Sequence, residues 1–305
     1  MKPISRRNFF KSSMVLGGTA LGATMLPKFS DAGILSGPPD IVSIPSADPL
    51  ANISSLLEPL GGIESFVKAG NSVGFLTNSP WVHPGYYTHP DIVLSMMKLC
   101  KDAGAGKIVC YKPVREGYWE ESKYYEEMKP LIDEIVYGED RTTVEIPNGK
   151  FLKSAEVFSI FLETDVFINI PVAKHHNGTI FSGVLKGLMG VSSRDTNRHM
   201  HSPDGEYTYE KEEYLSGCIA DLNLIRLPDL SIMDATICAT NNGPRGPGDT
   251  INPDRILAGI DALAMDVYAS SLIGMEPKEI LTFQKAKEHA LGNDDLESIK
   301  IQVFE

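Results

Sequence analysis

Residues 165–198 read D-V-F-I-N-I-P-V-A-K-H-H-N-G-T-I-F-S-G-V-L-K-G-L-M-G-V-S-S-R-D-T-N-R. The apolar run at 166–172 reads as a buried strand. It ends at Pro171 and discharges into Lys174, His175, His176 and Asn177. A helical pattern follows over 177–189, with Asn177 or Thr179 placed to cap it; the free N–H groups and dipole of such a start favour an anion. Positions 179, 182, 183 and 186 share one face of that helix, which puts Lys186 on the Thr179/Ser182 side. In open α/β sheets ligands sit beyond the carboxyl ends of the strands, where this polar cluster falls.

The same alternation runs outward in both directions. Strand-like segments at 72–77, 107–112, 142–146, 230–233, 256–259 and 299–304 are interleaved with helical patterns at 90–103, 120–136 (interrupted by Pro130), 158–163, 210–224, 261–273 and 278–290. Strands alternating with helices predict an α/β fold, a mostly parallel or mixed sheet flanked by helices, as a single large domain over 51–305. Residues 33–50, rich in Gly, Pro and Ser, read as an extended leader.

The first 32 residues read as an address. Ser5-Arg6-Arg7-Asn8-Phe9-Phe10-Lys11 precedes a 13-residue apolar run at 14–26 and a small-residue exit at Ser30-Asp31-Ala32. Thirteen residues rise about 20 Å as a helix, short of the roughly 30 Å of a bilayer core. The pattern is that of a cleavable twin-arginine export signal, with no stable membrane anchor, and predicts a periplasmic or otherwise extracytoplasmic protein whose first partner is the twin-arginine translocation machinery.

Composition narrows the function classes. The chain has 305 residues, 42% of them hydrophobic, and a net charge of −12. Residues 1–32 hold five basic side chains and one acidic, so the remainder carries 23 basic against 39 acidic residues. A body this acidic repels phosphate backbones, which argues against nucleic acid as a partner.

Two further polar clusters stand out. After the strand at 230–233 come Asp234 and a rigid Gly/Pro loop, Asn241-Asn242-Gly243-Pro244-Arg245-Gly246-Pro247-Gly248, in which backbone can approach a ligand and Arg245 supplies a planar anion clamp. Asp266 sits in the apolar stretch A-L-A-M-D-V-Y-A, where a carboxylate requires a cation or donors; Lys174, Lys186 and Arg245 are its candidate partners. His175, His176, His199 and His201 form a possible nitrogen-rich metal site. Cys100, Cys110, Cys218 and Cys238 contain no C-x-x-C pair, so an iron–sulfur cluster ranks behind a divalent metal as a cofactor, and neither is assigned. Cys100 and Cys110 lie in apolar patterns and are predicted to be buried.

These segments together resemble the bacterial and archaeal family catalogued as domain of unknown function 362. The family's P-x-x-K-x-H element is matched by Pro171, Lys174 and His176, and its L-K-N-L-x-G element by Leu185, Lys186, Leu188 and Gly190, with Gly187 replacing Asn. Its strand end and N-G-P-x-G loop are matched by Asp234, Ala235, Asn242, Gly243, Pro244 and Gly246. Its A-G-x-D-x-x-A-x-D-x-x-A element is matched by Ala258, Gly259, Asp261, Ala264, Asp266 and Ala269. Thr88-His89-Pro90-Asp91 is similar to its T-x-P-E helix start. Where members often show I-K-P-N, this chain has Phe75-Leu76-Thr77-Asn78, and the appended ferredoxin-like cysteine segment of some members is missing. The resemblance implies a shared site without implying a reaction.

The expected function is that of an exported enzyme or cofactor protein acting on a small anionic ligand. Lys174, His176, Lys186 and Asp266 would carry the chemistry; Asn78, Asn177, Asp234, Asn242, Gly243 and Arg245 would bind the ligand. Lysines and arginine would hold the anion while His176 or Asp266 moves a proton. The alternatives are a periplasmic metal or redox carrier, with a redox partner, and a non-catalytic anion-binding protein.

Overall fold

Phe167 and Ile168 are neighbours in sequence and belong to opposite sides of one sheet, each fully buried. Successive strand residues point to opposite faces, so a strand covered on both sides reads as an unbroken apolar run. Burying such a side chain stabilises by about 1.5–3 kcal/mol. A computed structural model of the chain describes residues 37–202 and 211–305; the export signal expected at 1–32 lies outside them.

The chain runs through β1 (Ile41–Pro45), α1 (Pro49–Leu57), β2 (Ser72–Thr77), α2 (Pro90–Asp102), β3 (Lys107–Cys110), α3 (Tyr125–Asp133) and β4 (Val136–Tyr137). A hairpin of β5 (Arg141–Glu145) and β6 (Ser154–Phe158) leads to α4 (Ser159–Glu163) and β7 (Val166–Ile170). A second hairpin, β8 (Lys174–His176) and β9 (Ile180–Ser182), precedes α5 (Val184–Gly187), α6 (Arg194–His201) and α7 (Glu212–Leu222). The rest is β10 (Leu230–Ala235), the small pair β11 (Cys238–Ala239) and β12 (Thr250–Ile251), β13 (Arg255–Gly259), α8 (Ala262–Leu272), α9 (Leu281–Glu288) and β14 (Ile301–Val303).

Eight strands form the main sheet in the order β14-β1-β13-β10-β7-β2-β3-β4. The run β10-β7-β2-β3-β4 is parallel throughout, and β13 is antiparallel to both of its neighbours. Leu56, Ile92, Val93 and Met97 of α1 and α2 pack on one side with Phe75, Ile168, Ile170 and Ile232. Residues of α5, α7, α8 and α9, among them Leu185, Ile219, Met265 and Phe283, pack on the other with Phe167, Met233 and Leu257. The α/β class and mostly parallel sheet expected from the alternation are therefore present.

Three expectations need correcting. Residues 41–45, read as leader, form β1, which pairs with both β13 and β14. Residues 142–146 are extended but lie in the β5/β6 hairpin outside the main sheet. Residues 177–182 are not helical: His176 Nδ1 accepts the Gly178 N–H, Thr179 Oγ1 donates to the Phe181 carbonyl, and Ile180 adopts a φ of 61°. Those local side-chain bonds compete with a helix and close a hairpin instead. Helix α5 begins only at Val184 and makes one turn.

Candidate functional site

From β2 the chain moves outward to β3 and β4; from β7, on the other side of β2, it moves away to β10. The strand order thus reverses between β2 and β7, and such a reversal opens a crevice at the carboxyl ends of the strands. A cavity of about 370 Å³ occupies it. Thr77 and Asn78 reach it from the end of β2, Lys112 from just beyond β3, Asn169, Pro171 and Val172 from β7 and its exit, and Lys174 and His176 from β8. The α5 segment adds Gly183, Lys186 and Gly187, α6 adds Asn197 and His201, and Trp81, Pro244 and Arg245 close the mouth.

Among the described residues, three lysines and an arginine line this cavity, and no carboxylate does. Lys174 is 2% exposed, and its Nζ donates to the Tyr86 carbonyl at 2.6 Å and the Pro244 carbonyl at 3.3 Å. Burial, with repulsion from Lys186 and Lys112, pushes its pKa well down. Burial alone brings both Lys112 and Lys186 down to about 8. Lys186 Nζ lies 3.1 Å from the Met189 thioether, a weak acceptor. Arg245 is exposed and stacks over the Trp81 ring at 5.3 Å.

His176 is buried, and its Nδ1 accepts from Gly178, which leaves the ring proton on Nε2. Desolvation, and then the charge of Lys186, keep it neutral. His201 Nδ1 meets the Asn197 carbonyl at 2.8 Å, and its pKa is also lowered by burial and by Lys186. Asn197 donates through Nδ2 to the Met189 carbonyl, while its Oδ1 is buried and has no partner among the described residues. The cavity therefore offers several cationic or amine groups and a neutral imidazole.

Of the sequence-predicted residues, Asn78, Lys174, His176, Lys186, Arg245 and His201 come together here. The others do not line the cavity. Asn177 is exposed on the β8–β9 turn, and Asn242 Nδ2 donates to the Pro247 carbonyl. Gly243 is a close-contact point: its N–H reaches His175 Nδ1 at 3.2 Å, and a Cβ there would lie 1.8 Å from the His175 carbonyl oxygen. Asp234 is a buried brace, accepting from the His89 N–H on one oxygen and from Thr236 on the other.

Asp266 does not pair with a lysine. Its two oxygens accept the backbone N–H groups of Val184 and Leu185 at 2.6 and 2.9 Å, so it caps α5 from across the interface. Gly183 makes room for it, since a Cβ there would lie 2.2 Å from Asp266 Oδ1. Its role is to position the segment that carries Lys186.

The four-histidine metal site is not assembled. His199 Nε2 bonds Tyr214 Oη, His175 faces Gly243, and only His176 and His201 approach each other, with ring centroids 6.5 Å apart. Among the described residues no group of three or more His, Cys, Asp or Glu side chains is arranged to hold a metal ion. All four cysteines are buried, as expected for Cys100 and Cys110, and burial raises every one of their pKa values.

Lys112, Asn169, Asn197 and Trp81 were missed in the sequence. Lys112 carried a usable signal, because it follows the apolar strand at 107–110 at the end where α/β sheets bind ligands. The others are brought in by packing and carried none.

Among solved structures, the chain is similar to the lactate racemase apoprotein from Thermoanaerobacterium thermosaccharolyticum, at 14% identity and a TM-score of 0.49, over 76% of this chain and 57% of that one. A Thermotoga maritima protein gives 16% identity and a TM-score of 0.36 over 62% and 51%. The chain thus spans little more than half of either. A thylakoid-associated protein of Synechocystis sp. is 27% identical over 258 residues, covering 80% of this chain and 75% of that protein. The family model described as Domain of unknown function (DUF362) matches residues 76–271, a span that contains every side chain lining the cavity, and the chain belongs to that family.

Proposed function

We propose that this protein binds a small organic or inorganic anion carrying more than one negative charge, and that His176 exchanges a proton with it. One observation carries the reading: a chain of net charge −12 gathers Lys112, Lys174, Lys186 and Arg245 around one cavity with no lining carboxylate among the described residues. Concentrated positive charge in a partly desolvated crevice costs stability unless an anion completes it. A neutral imidazole with its proton on Nε2 can donate to such a ligand and take the proton back.

Titration calorimetry of the mature protein with pyrophosphate, phosphate, malonate and glutarate at low ionic strength tests the reading. Binding that weakens on Lys174→Met or Lys112→Met substitution is expected. An absence of heat with every anion would end it.

We further propose export in folded form through the twin-arginine route, on the strength of Arg6, Arg7 and the short apolar run that follows them. Among the described residues, no helix is long and apolar enough to cross a membrane.

A further inference from the structure

The three cavity lysines are not equivalent. Lys174 Nζ is tethered to two carbonyl oxygens, which fixes it as a charge-bearing and structural group. Lys112 Nζ is packed against Gly190, where a Cβ would lie 3.1 Å away, and among the described residues it, too, makes no hydrogen bond to an oxygen. Lys186 shares that lack of an oxygen partner and is set apart by its imidazole neighbours. Among the described residues its Nζ makes no hydrogen bond to a carbonyl or carboxylate oxygen, only the contact with the Met189 thioether. It is also the cavity cation that bears most strongly on both neighbouring imidazoles, His176 and His201. An amine without oxygen partners, set beside a neutral proton carrier and further cationic groups, is the arrangement that activates a lysine as a nucleophile.

We propose that Lys186 attacks the carbonyl carbon of an anionic carbonyl compound, either a 2-oxo acid or a phosphorylated aldehyde, to form an imine in this cavity. The proposal rests on the anion-binding reading above and names the substrate class of that site. The Nζ lone pair forms the N–C bond while the carbonyl oxygen takes a proton from His176 Nε2, giving a carbinolamine. The nitrogen, now carrying two protons, returns one of them to His176, which leaves a neutral carbinolamine and a neutral imidazole. His176 Nε2–H then protonates the hydroxyl, the C–O bond breaks and water leaves as the C=N bond forms, and the iminium proton passes back to His176 to leave a neutral imine. No oxidant or reductant enters.

A cavity of about 370 Å³ admits a ligand of a few carbons with one or two acidic groups and sits near the lower end of small-molecule pockets. With Lys186 brought to about 8, the free-amine fraction at neutral pH is on the order of 10²-fold larger than for a surface lysine. Labelling at Lys186 should therefore exceed that at any exposed lysine by a wide margin.

The test is reductive trapping on the mature wild-type protein. Pyruvate, 2-oxoglutarate and glyceraldehyde 3-phosphate are each incubated with it and reduced with sodium borohydride, and the product is analysed by intact mass and peptide mapping. One adduct per chain on Lys186 is expected, suppressed by excess glutarate or phosphate and absent from Lys186→Arg. The arm that labels, 2-oxo acid or phosphorylated aldehyde, identifies the source of the anionic group. Adduct spread over surface lysines, or placed on Lys112 or Lys174, would overturn the assignment. If glutarate or phosphate binds by calorimetry but no carbonyl compound is trapped, imine formation is wrong and the anion site stands. If no anion binds, the underlying reading fails first.

Discussion

Asp266 Oδ1 accepts the backbone N–H of Val184 at 2.6 Å, across 82 positions of sequence, and this bond fixes where α5 begins. The second oxygen takes the next N–H, of Leu185. Both donors belong to the first turn of a helix, where no intrahelical partner exists. Lys186 is the next residue, so the orientation of a cavity lysine depends on a carboxylate that never reaches the cavity.

Removing that brace should therefore cost both stability and binding. Asp266→Ala leaves two buried N–H groups unpaired, at a cost of about 1–3 kcal/mol for each group. Urea denaturation should show a lowered midpoint, and calorimetry a weakened anion site although Asp266 touches no ligand. An unchanged midpoint would contradict the bracing role.

The same carboxylate sets a pH dependence. Burial raises Asp266 from 3.8 to about 7, against the opposing pull of its two N–H donors. A raised folded-state pKa means the folded chain holds a proton that the unfolded chain has released, so this contribution is complete below about pH 4 and is lost as pH rises through about 7. The stability of Asp266→Asn relative to wild type should rise across that window. Denaturation midpoints of the two proteins between pH 4 and 8 check this.

Lys186 and Lys112 should behave in the opposite sense to partners in a salt bridge. Each is brought down to about 8 by burial, so below that pH the folded state carries charges that are better solvated in the unfolded chain. Lys186→Met should stabilise the protein at pH 7, by on the order of 1–3 kcal/mol after allowance for partial exposure. The gain should shrink between about pH 8 and 10.5, where the unfolded lysine also becomes neutral. A sequence-based expectation that Lys186 pairs with Asp266 implies destabilisation instead, and the structure reverses that sign.

Anion binding should draw protons into the cavity. A bound anion favours the ammonium forms of Lys112 and Lys186, raising pKa values that stand near 8 in the free protein. Calorimetry at pH 8 to 9 in buffers of different ionisation enthalpy should show proton uptake, and affinity should fall as pH rises above about 8. Binding with no buffer dependence at that pH would exclude these lysines as the recognising groups.

Gly243 is the most constrained point of the loop that closes the mouth. A methyl group there would lie 1.8 Å from the His175 carbonyl oxygen, a backbone atom that cannot swing aside. Gly243→Ala should cost at least about 1–3 kcal/mol, as overpacking does, and displace Pro244, whose carbonyl holds Lys174. Thermal denaturation and anion titration of this variant should both be affected.

Replacing Arg6 and Arg7 together by Lys should retain the protein in the cytoplasm as the uncleaved precursor. Fractionation followed by immunoblotting reads this directly, and normal delivery outside the cytoplasm would refute twin-arginine export.

Much of this was legible in sequence because the determinants are local. An apolar run such as 166–170 announces a strand buried on both faces, and strands alternating with helices permit few layered arrangements. Pro171, Lys174 and His176 were found for the same reason, since a polar cluster immediately after a buried strand marks the ligand-binding edge. Local patterning failed at 177–182, where a helical spacing of apolar residues was outweighed by side-chain bonds that close a hairpin. It also failed at Asp266, since the partner of a buried carboxylate is chosen by whichever donors packing brings within reach, and here those are two backbone N–H groups rather than a lysine. Hydrophobic period and turn chemistry therefore decided the elements and their class. Which of the lysines share a cavity was decided by strand order, because the crevice exists only where β2 and β7 lie side by side and lead away in opposite directions.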